Sequence, residues 1–364
     1  MVEFKKIVAI LLFLFSAFFF AIPCLAQKKV LFEETLETRV VKVLVEKKEN
    51  DQLYQKLELF IVKGSLKNEK IIIESGGLPL VSQQKYRVGD RLLVMYTKDS
   101  NGQDVFYISD YLRRPPLALL FLIFVVLAVV VSGWRGASSL LGLAASFLVI
   151  FKFILPQIIG GSDPILVSIV GCLLIIPISF FLAHGVNQKT VVAIGGTMVA
   201  LIITGILAKF FVVATHLTGF ASEEAGLLQV AREGAVNFKG LLLAGIIIGA
   251  VGVLDDVTIS QAAIVFELKS AARKLSFGQL YRRAMNVGQD HVSSMINTLV
   301  LVYAGSVLPL LLLFVNNPHP FLEVINYEII AEEVVRTLVG SIGLISAVPI
   351  TTVLAALIVT KVKN

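Results

Sequence analysis

Two hydrophobic patterns divide the chain. Between residues 27 and 114, apolar and polar positions alternate in short runs; from residue 117 onward, apolar residues continue in blocks long enough to cross a bilayer. The short runs, 39–45, 53–62, 69–73, 91–96 and 104–109, are rich in Val, Ile, Leu, Tyr and Phe and predict five strands. Asn50-Asp51, Lys63-Gly64, Gly76-Gly77, Gly89-Asp90 and Asn101-Gly102 separate them as turns, the last a hairpin signal. Five short strands in this space predict a small closed β-barrel of the OB type, with a small open sheet or sandwich as the plainer alternative.

The long blocks predict about seven transmembrane helices, near 117–133, 138–155, 164–183, 190–214, 238–256, 291–315 and 335–360. Arg113-Arg114-Pro115-Pro116 is the hinge between the two regions. Residues 1–26 have the form of a secretory signal: Lys5 and Lys6, an apolar core over 7–22, and the small Ala26 at the end. Cleavage after Ala26 is expected; a retained segment would be an additional first span. The expected class is an all-α polytopic membrane protein, residues 115–364, preceded by an exterior OB-like β domain, residues 27–114.

Composition agrees with this class and removes others. Of 364 residues, 56% are hydrophobic, and the mean hydropathy is +0.85, above the ordinary range of soluble domains. The net charge of +6 is not a nucleic-acid footprint, because the basic residues are spread among short loops. One set of loops holds Arg135, Lys189, Lys269, Arg273, Lys274, Arg282, Arg283, Lys361 and Lys363. The alternate set is acidic, with Asp163, Glu223, Glu224, Glu233, Glu323, Glu328, Glu332 and Glu333. Basic loops stay in the cytosol. Residues 27–114 are therefore expected outside a cell membrane, as the signal also requires, with the C-terminus cytosolic. The two cysteines, Cys24 and Cys172, lie in the leader and in a span, so the β domain has no disulfide. His184, His216, His291 and His319 are too scattered for a metal site, and no phosphate loop, nucleophile elbow or other cofactor motif is present. No cofactor and no enzymatic activity are expected.

The candidate chemistry lies in two polar knots at the expected cytosolic ends of the fifth and sixth spans. The first contains Asp255, Asp256, Thr258, Ser260 and Gln261, the second Asn286, Asp290, His291, Ser293 and Asn297. Carboxylates at this depth are costly and mark a site or a paired interface. Asn286, Asp290, Ser293 and Asn297 recur at intervals of 4, 3 and 4 and share one helix face. In a span, that face is expected to look toward other helices or water. Gly245, Gly249 and Gly252 are placed for close helix approach. Beyond Asp255 the helix either projects from the membrane or breaks and folds back.

Three readings of the knots compete. In the first, they are a cation or proton site of a transporter or permease-like protein, lining a cytosol-facing cavity with His291 as a proton acceptor. In the second they are a structural polar network, in an envelope scaffold whose exterior domain binds a partner. The third, an intramembrane aspartyl protease, is disfavoured because Gly252-Val-Leu-Asp255 lacks the Gly-x-Gly-Asp pattern. Beyond the lipid bilayer, the expected partners are thus a cation or proton and an exterior molecule met by residues 27–114.

The blocks Gly252-Val-Leu-Asp-Asp-Val-Thr-Ile-Ser-Gln-Ala-Ala263, Phe266-Glu267-Leu268, Arg283-Ala-Met285, Gly288-Gln-Asp-His291 and Asn297-Thr-Leu-Val-Leu-Val-Tyr-Ala-Gly305 resemble the YibE/F family of bacterial membrane proteins. The resemblance covers roughly residues 115–360. It implies a multi-pass architecture and supplies no catalytic residues.

Overall fold

The computed structural model describes residues 34–49, 52–76, 84–99, 102–231, 236–315 and 320–361. The expected signal at 1–26 and the turn at Asn50-Asp51 lie outside these. The chain divides into two compact units, Met1–Ala128 and Val129–Asn364.

In the first unit, β1 (Glu34–Glu49), β2 (Gln52–Lys63), β3 (Lys70–Ser75), β4 (Arg91–Lys98) and β5 (Asp104–Tyr111) fall at the alternating runs, β1 extending beyond its run at both ends. They form one sheet in the order β3-β2-β1-β4-β5, and every neighbouring pair is antiparallel. β1 pairs with β4 through its first residues and with β2 along nearly all its length, and its register against β2 shifts three times. Such irregularities bend a strand and increase its twist, so the sheet curls. The result is a half-barrel. Among the described residues no ladder joins the edge strands β3 and β5, so closure of the barrel is not part of this sheet. Leu57, Leu59 and Ile61 alternate along β2 and, with Leu36, Val40, Leu92 and Val94, fill the inner face. Gln55 is also buried there: its Nε2 donates to the Tyr86 carbonyl at 3.0 Å and its Oε1 accepts from the Tyr86 amide at 2.8 Å. This clips residues 84–87 to the sheet.

The outer face of the sheet is charged and laced with ion pairs. Hydrogen bonds from Lys85 to Glu46, from Lys56 to Glu74 and from Arg113 to Asp110 hold all three carboxyls below their ordinary range. A group whose folded pKa is depressed contributes stability above its unfolded pKa and loses it as pH falls through the folded one. The sheet is therefore expected to loosen modestly on acidification below the usual carboxylate range, and more at low ionic strength than at high, because these pairs are exposed. Amide exchange in β2 and β3, followed against pH, checks this.

The helical unit begins within a long run. Helix α1 (Arg114–Val149) continues through a π-helical turn at Ile150–Ile154 into α2 (Leu155–Ile159). The 46 residues of this run would extend about 69 Å at 1.5 Å per residue, far more than one bilayer crossing. The run is broken at Gly133, whose φ of 58° and ψ of −136° are non-helical. The first two expected spans lie on either side of that break. Then come α3 (Pro164–His184), α4 (Gln188–Ala214), α5 (Glu223–Ala231), α6 (Phe238–Ala271), α7 (Phe277–Ser306), α8 (Leu308–Val315), α9 (Phe321–Val324) and α10 (Glu328–Lys361). Their starts follow capping chemistry. Asp163 accepts from the amides of Ile165 and Leu166, Asn187 from Thr190, and Asn237 from Gly240, while Ser276 and Gln279 form a reciprocal capping box.

By length and composition, five helical segments suffice to cross a membrane: the 114–159 run, α3, α4, α6 and α10. The sixth expected span, 291–315, is divided between α7 and α8 by non-helical Val307, two residues before Pro309. The fifth does not break near Asp255: α6 is continuous to Ala271 and is about 51 Å long.

Helix α6 is the centre of the unit, packed by α3, α4, α7 and α10. The packing is inverted relative to a water-soluble bundle. Ile202, Ile206 and Phe210, four residues apart on α4, are each more than 60% exposed. The opposite face of α4 buries the small or hydroxylated Ala193, Thr197, Ala200, Thr204 and Ala208. An apolar exterior around small and polar contacts suits lipid as the solvent. Helices α4 and α10 interlock reciprocally. A Cβ at Gly196 would sit 2.2 Å from Thr351 Oγ1, and one at Gly343 would sit 2.1 Å from Thr204 Oγ1. Close approach thus falls at these glycines. At Gly249 and Gly252, where the sequence placed it, an added Cβ meets nothing within 4 Å.

Candidate functional site

Asp255, Thr258 and Gln261 follow one another at intervals of three along α6 and therefore share its inward face. Asp255 is half-buried, and its Oδ2 accepts from Ser179 Oγ of α3 at 3.5 Å. Its Oδ1 is buried and has no hydrogen-bond partner. One turn on, fully buried Thr258 donates to the Leu254 carbonyl at 2.9 Å and meets Thr197 Oγ1 of α4 at 2.7 Å. Hydroxyls that fall back on their own helix carbonyl are a common way to satisfy a polar group where water is excluded. Gln261 is fully buried where three helices meet. Its Nε2 donates to the Ala284 carbonyl of α7 at 3.1 Å and to Thr352 Oγ1 of α10 at 2.7 Å, while its Oε1 is left unpartnered. Gly288 of α7 makes room for this amide, since a Cβ there would lie 3.0 Å from both Gln261 side-chain ends and 2.7 Å from Val348 Cγ1.

The first knot is thus assembled, although Asp256 is exposed and Ser260 only half-buried. The second has a different setting. Asn286, Asp290, Ser293 and Asn297 do share a face of α7, and all four are exposed; His291 is half-buried. Ser293 donates to the Gln289 carbonyl of its own helix at 3.0 Å. Among the described residues, no hydrogen bond joins these groups to Asp255 or Gln261. At about 100° per residue, this stripe lies nearly opposite Ala284, Gly288 and Leu299, the buried positions of α7. The apolar and small side of α7 meets α6 and α10, and its polar side faces away.

The structure adds Ser179, Thr197 and Thr352 to the residues picked from sequence. Ser179 is an isolated serine in an apolar span and gives no pattern. Thr190, Thr197 and Thr204 recur every seventh residue, a spacing that marks one helix face and was available to read. No group of three or more His, Cys, Asp or Glu side chains among the described residues is arranged to hold a metal ion. The Asp255 region offers one half-buried carboxyl group, with the Ser179 hydroxyl donating to it.

A curled antiparallel sheet followed by a bundle of lipid-suited helices, with a half-buried carboxylate among them, defines a multi-pass helical membrane protein. The chain belongs to the YibE/F-like protein family, whose model matches residues 120–361. Comparison with curated proteins returns no match, and neither does comparison with solved structures.

Proposed function

We propose that the chain is a membrane transport protein that carries a proton or small cation, with Asp255 as its central exchanging group. One observation carries this reading: Asp255 Oδ1 is buried inside a spanning helix and has no partner. A carboxylate kept only for structure is expected to have its lone pairs satisfied, because an unsatisfied one is expensive in hydrocarbon. The nearby Ser179, Thr197 and Thr258 hydroxyls accept and donate without holding charge, which suits transfer rather than retention. In this reading the bundle crosses the cell membrane seven times, with the Gly133 break and the α7–α8 pair supplying the crossings beyond the five long apolar segments. The β unit is exterior after removal of residues 1–26, and the C-terminus and Asp255 face the cytosol. The exposed Asn286–Asn297 face of α7, turned away from α6, takes no part in this exchange.

The test is Asp255→Asn in reconstituted vesicles carrying a trapped pH dye. Asparagine keeps the shape and the bond from Ser179 but cannot cycle through a negative charge. Proton uptake driven by a potential is expected to fall to that of protein-free vesicles, with the thermal unfolding midpoint unchanged. Full uptake by the variant would remove Asp255 from the mechanism. A variant that fails to assemble would instead favour the structural polar network.

A further inference from the structure

We propose that Glu332 is a second proton acceptor, at the end of the helical unit opposite Asp255, and that the buried hydroxyls between them mark one proton path. The path rests on the transport reading above; the acceptor rests on the surroundings of Glu332 alone.

Glu332 lies one turn inside α10 and is 7% exposed, yet its Oε1 has no hydrogen-bond partner. Its neighbours are occupied. Glu328, one turn earlier, accepts from the amide and hydroxyl of Thr218 and from the Gly219 amide, the hydroxyl at 2.7 Å. Glu333 forms an ion pair with Arg336, Oε1 to Nε 3.4 Å. Arg336 Nε is itself buried without a hydrogen bond. The guanidinium reaches toward α6, its Nη1 3.6 Å from where a Gly245 Cβ would stand. Among the described residues, the charged groups around Glu332 are Glu328, Glu333 and Arg336 on its own helix. The 217–221 segment offers the Ala221 backbone. Helices α4 and α6 contribute the apolar Ala208, Val212, Leu242, Leu243 and Ile246 to the adjoining core.

This chemistry selects a proton. Calcium or magnesium needs about six oxygen ligands or more and zinc about four, and here one carboxylate oxygen is free. The adjacent guanidinium repels a second cation but stabilises the ionised carboxylate. Glu332 can therefore alternate between a neutral acid in an apolar pocket and a carboxylate drawn toward Arg336, a two-state arrangement typical of proton relays.

From Arg336 the buried polar positions continue along the contacts of α4, α6 and α10. Thr204 fills the notch at Gly343, and Thr351, whose hydroxyl has no partner, fills the notch at Gly196. Next come the Thr197–Thr258 pair and Asp255. Arg336, Gly343 and Thr351 are separated by steps of about 10–12 Å along α10, so a proton moving between them would need a chain of several waters at each step. From Glu332 to Thr351 the helix covers about 29 Å, close to the hydrocarbon thickness of a bilayer.

The experiment uses the full chain in reconstituted vesicles, comparing wild type, Glu332→Gln, Glu332→Asp and Asp255→Asn for potential-driven proton uptake. Wild-type protein is also treated with the apolar carboxyl reagent dicyclohexylcarbodiimide and mapped by peptide mass spectrometry. Glu332→Gln is expected to lose uptake to the protein-free level, and Glu332→Asp to retain part of it. Carbodiimide is expected to modify Glu332 in acidic buffer and to leave it unmodified in alkaline buffer. Wild-type-like uptake by Glu332→Gln, with Asp255→Asn inactive, would overturn the inference and leave the transport reading intact. No uptake by wild type would overturn the transport reading; the labelling then decides the acceptor, and an unmodified Glu332 at both pH values refutes it.

Discussion

Leucine in place of Gly288 is expected to loosen the packing of α6, α7 and α10 and to lower the unfolding temperature of the helical unit markedly. A Cβ alone would stand 2.7 Å from Val348 Cγ1 and 3.0 Å from both ends of the Gln261 amide. Real Cβ atoms essentially never approach that closely, and the remaining leucine carbons have nowhere to go. Val348 is 1% exposed and Gln261 fully buried, so neither can swing into solvent. Helix α7 must move outward, which breaks the 3.1 Å bond from Gln261 to the Ala284 carbonyl and leaves the Thr352 hydroxyl as that amide's remaining partner. Overpacking costs about 1–3 kcal/mol, and the lost hydrogen bond adds about 0.5–1.5 kcal/mol. The thermal midpoint of the detergent-solubilised protein, followed by size exclusion, should fall by many degrees. Gly249→Ala is the internal control, because a Cβ there meets nothing within 4 Å; its midpoint should hardly move. Equal shifts for both variants would mean that α7 is not seated on α6 through Gly288.

Parts of this architecture could be read directly from the chain because a simple period carries them. Strands β2 to β5 follow from alternation, and Asp255, Thr258 and Gln261 are conspicuous because polar residues three apart interrupt an apolar block. The α7 stripe shows where periodicity stops being informative. A period tells which residues share a face but not what that face meets. In a span the cheaper guess is polar-inward, yet Ala284 and Gly288 let α7 pack closely by its small side, and the polar side was left exposed. Glu332 was read as a loop charge because the apolar block begins only at Val335. The helix in fact starts at Glu328, and the buried placement of Glu332 depends on contacts more than a hundred residues away in sequence, around Thr218. The start of β1 was missed for a related reason: in Glu34-Thr35-Leu36-Glu37-Thr38 one leucine stands among charges and hydroxyls, a composition that reads as loop.

That leucine carries the second large effect. Leu36→Ala is expected to remove about 2–5 kcal/mol from the β unit, the range found for fully buried leucines. Leu36 is 0% exposed and stands opposite Val94 in the β1–β4 ladder, at the point where β1 also begins to pair with β2. Its Cδ2 occupies the space beside Gly64, where an added Cβ would be 2.2 Å away. Gly64 has a φ of +132°, a backbone conformation that only glycine adopts readily, so the turn cannot relax to refill the void by substituting its own side chain. The cavity therefore persists beneath the one strand that joins the two halves of the sheet. For a domain whose total stability is of the order of 5–15 kcal/mol, a loss near 3 kcal/mol is a large share. It should speed exchange of the slowest amides in β1, β2 and β4 by about a hundredfold, at 1.4 kcal/mol per factor of ten. Hydrogen exchange on the full chain in detergent reads this, with Val41→Ala as the comparison. Val41 is 40% exposed on the same strand, and its truncation should change exchange little. If the Leu36 variant retained wild-type protection across all three strands, the β1–β4 ladder would not be the joint on which the half-barrel depends, and the core of the sheet would have to be carried by β2 alone.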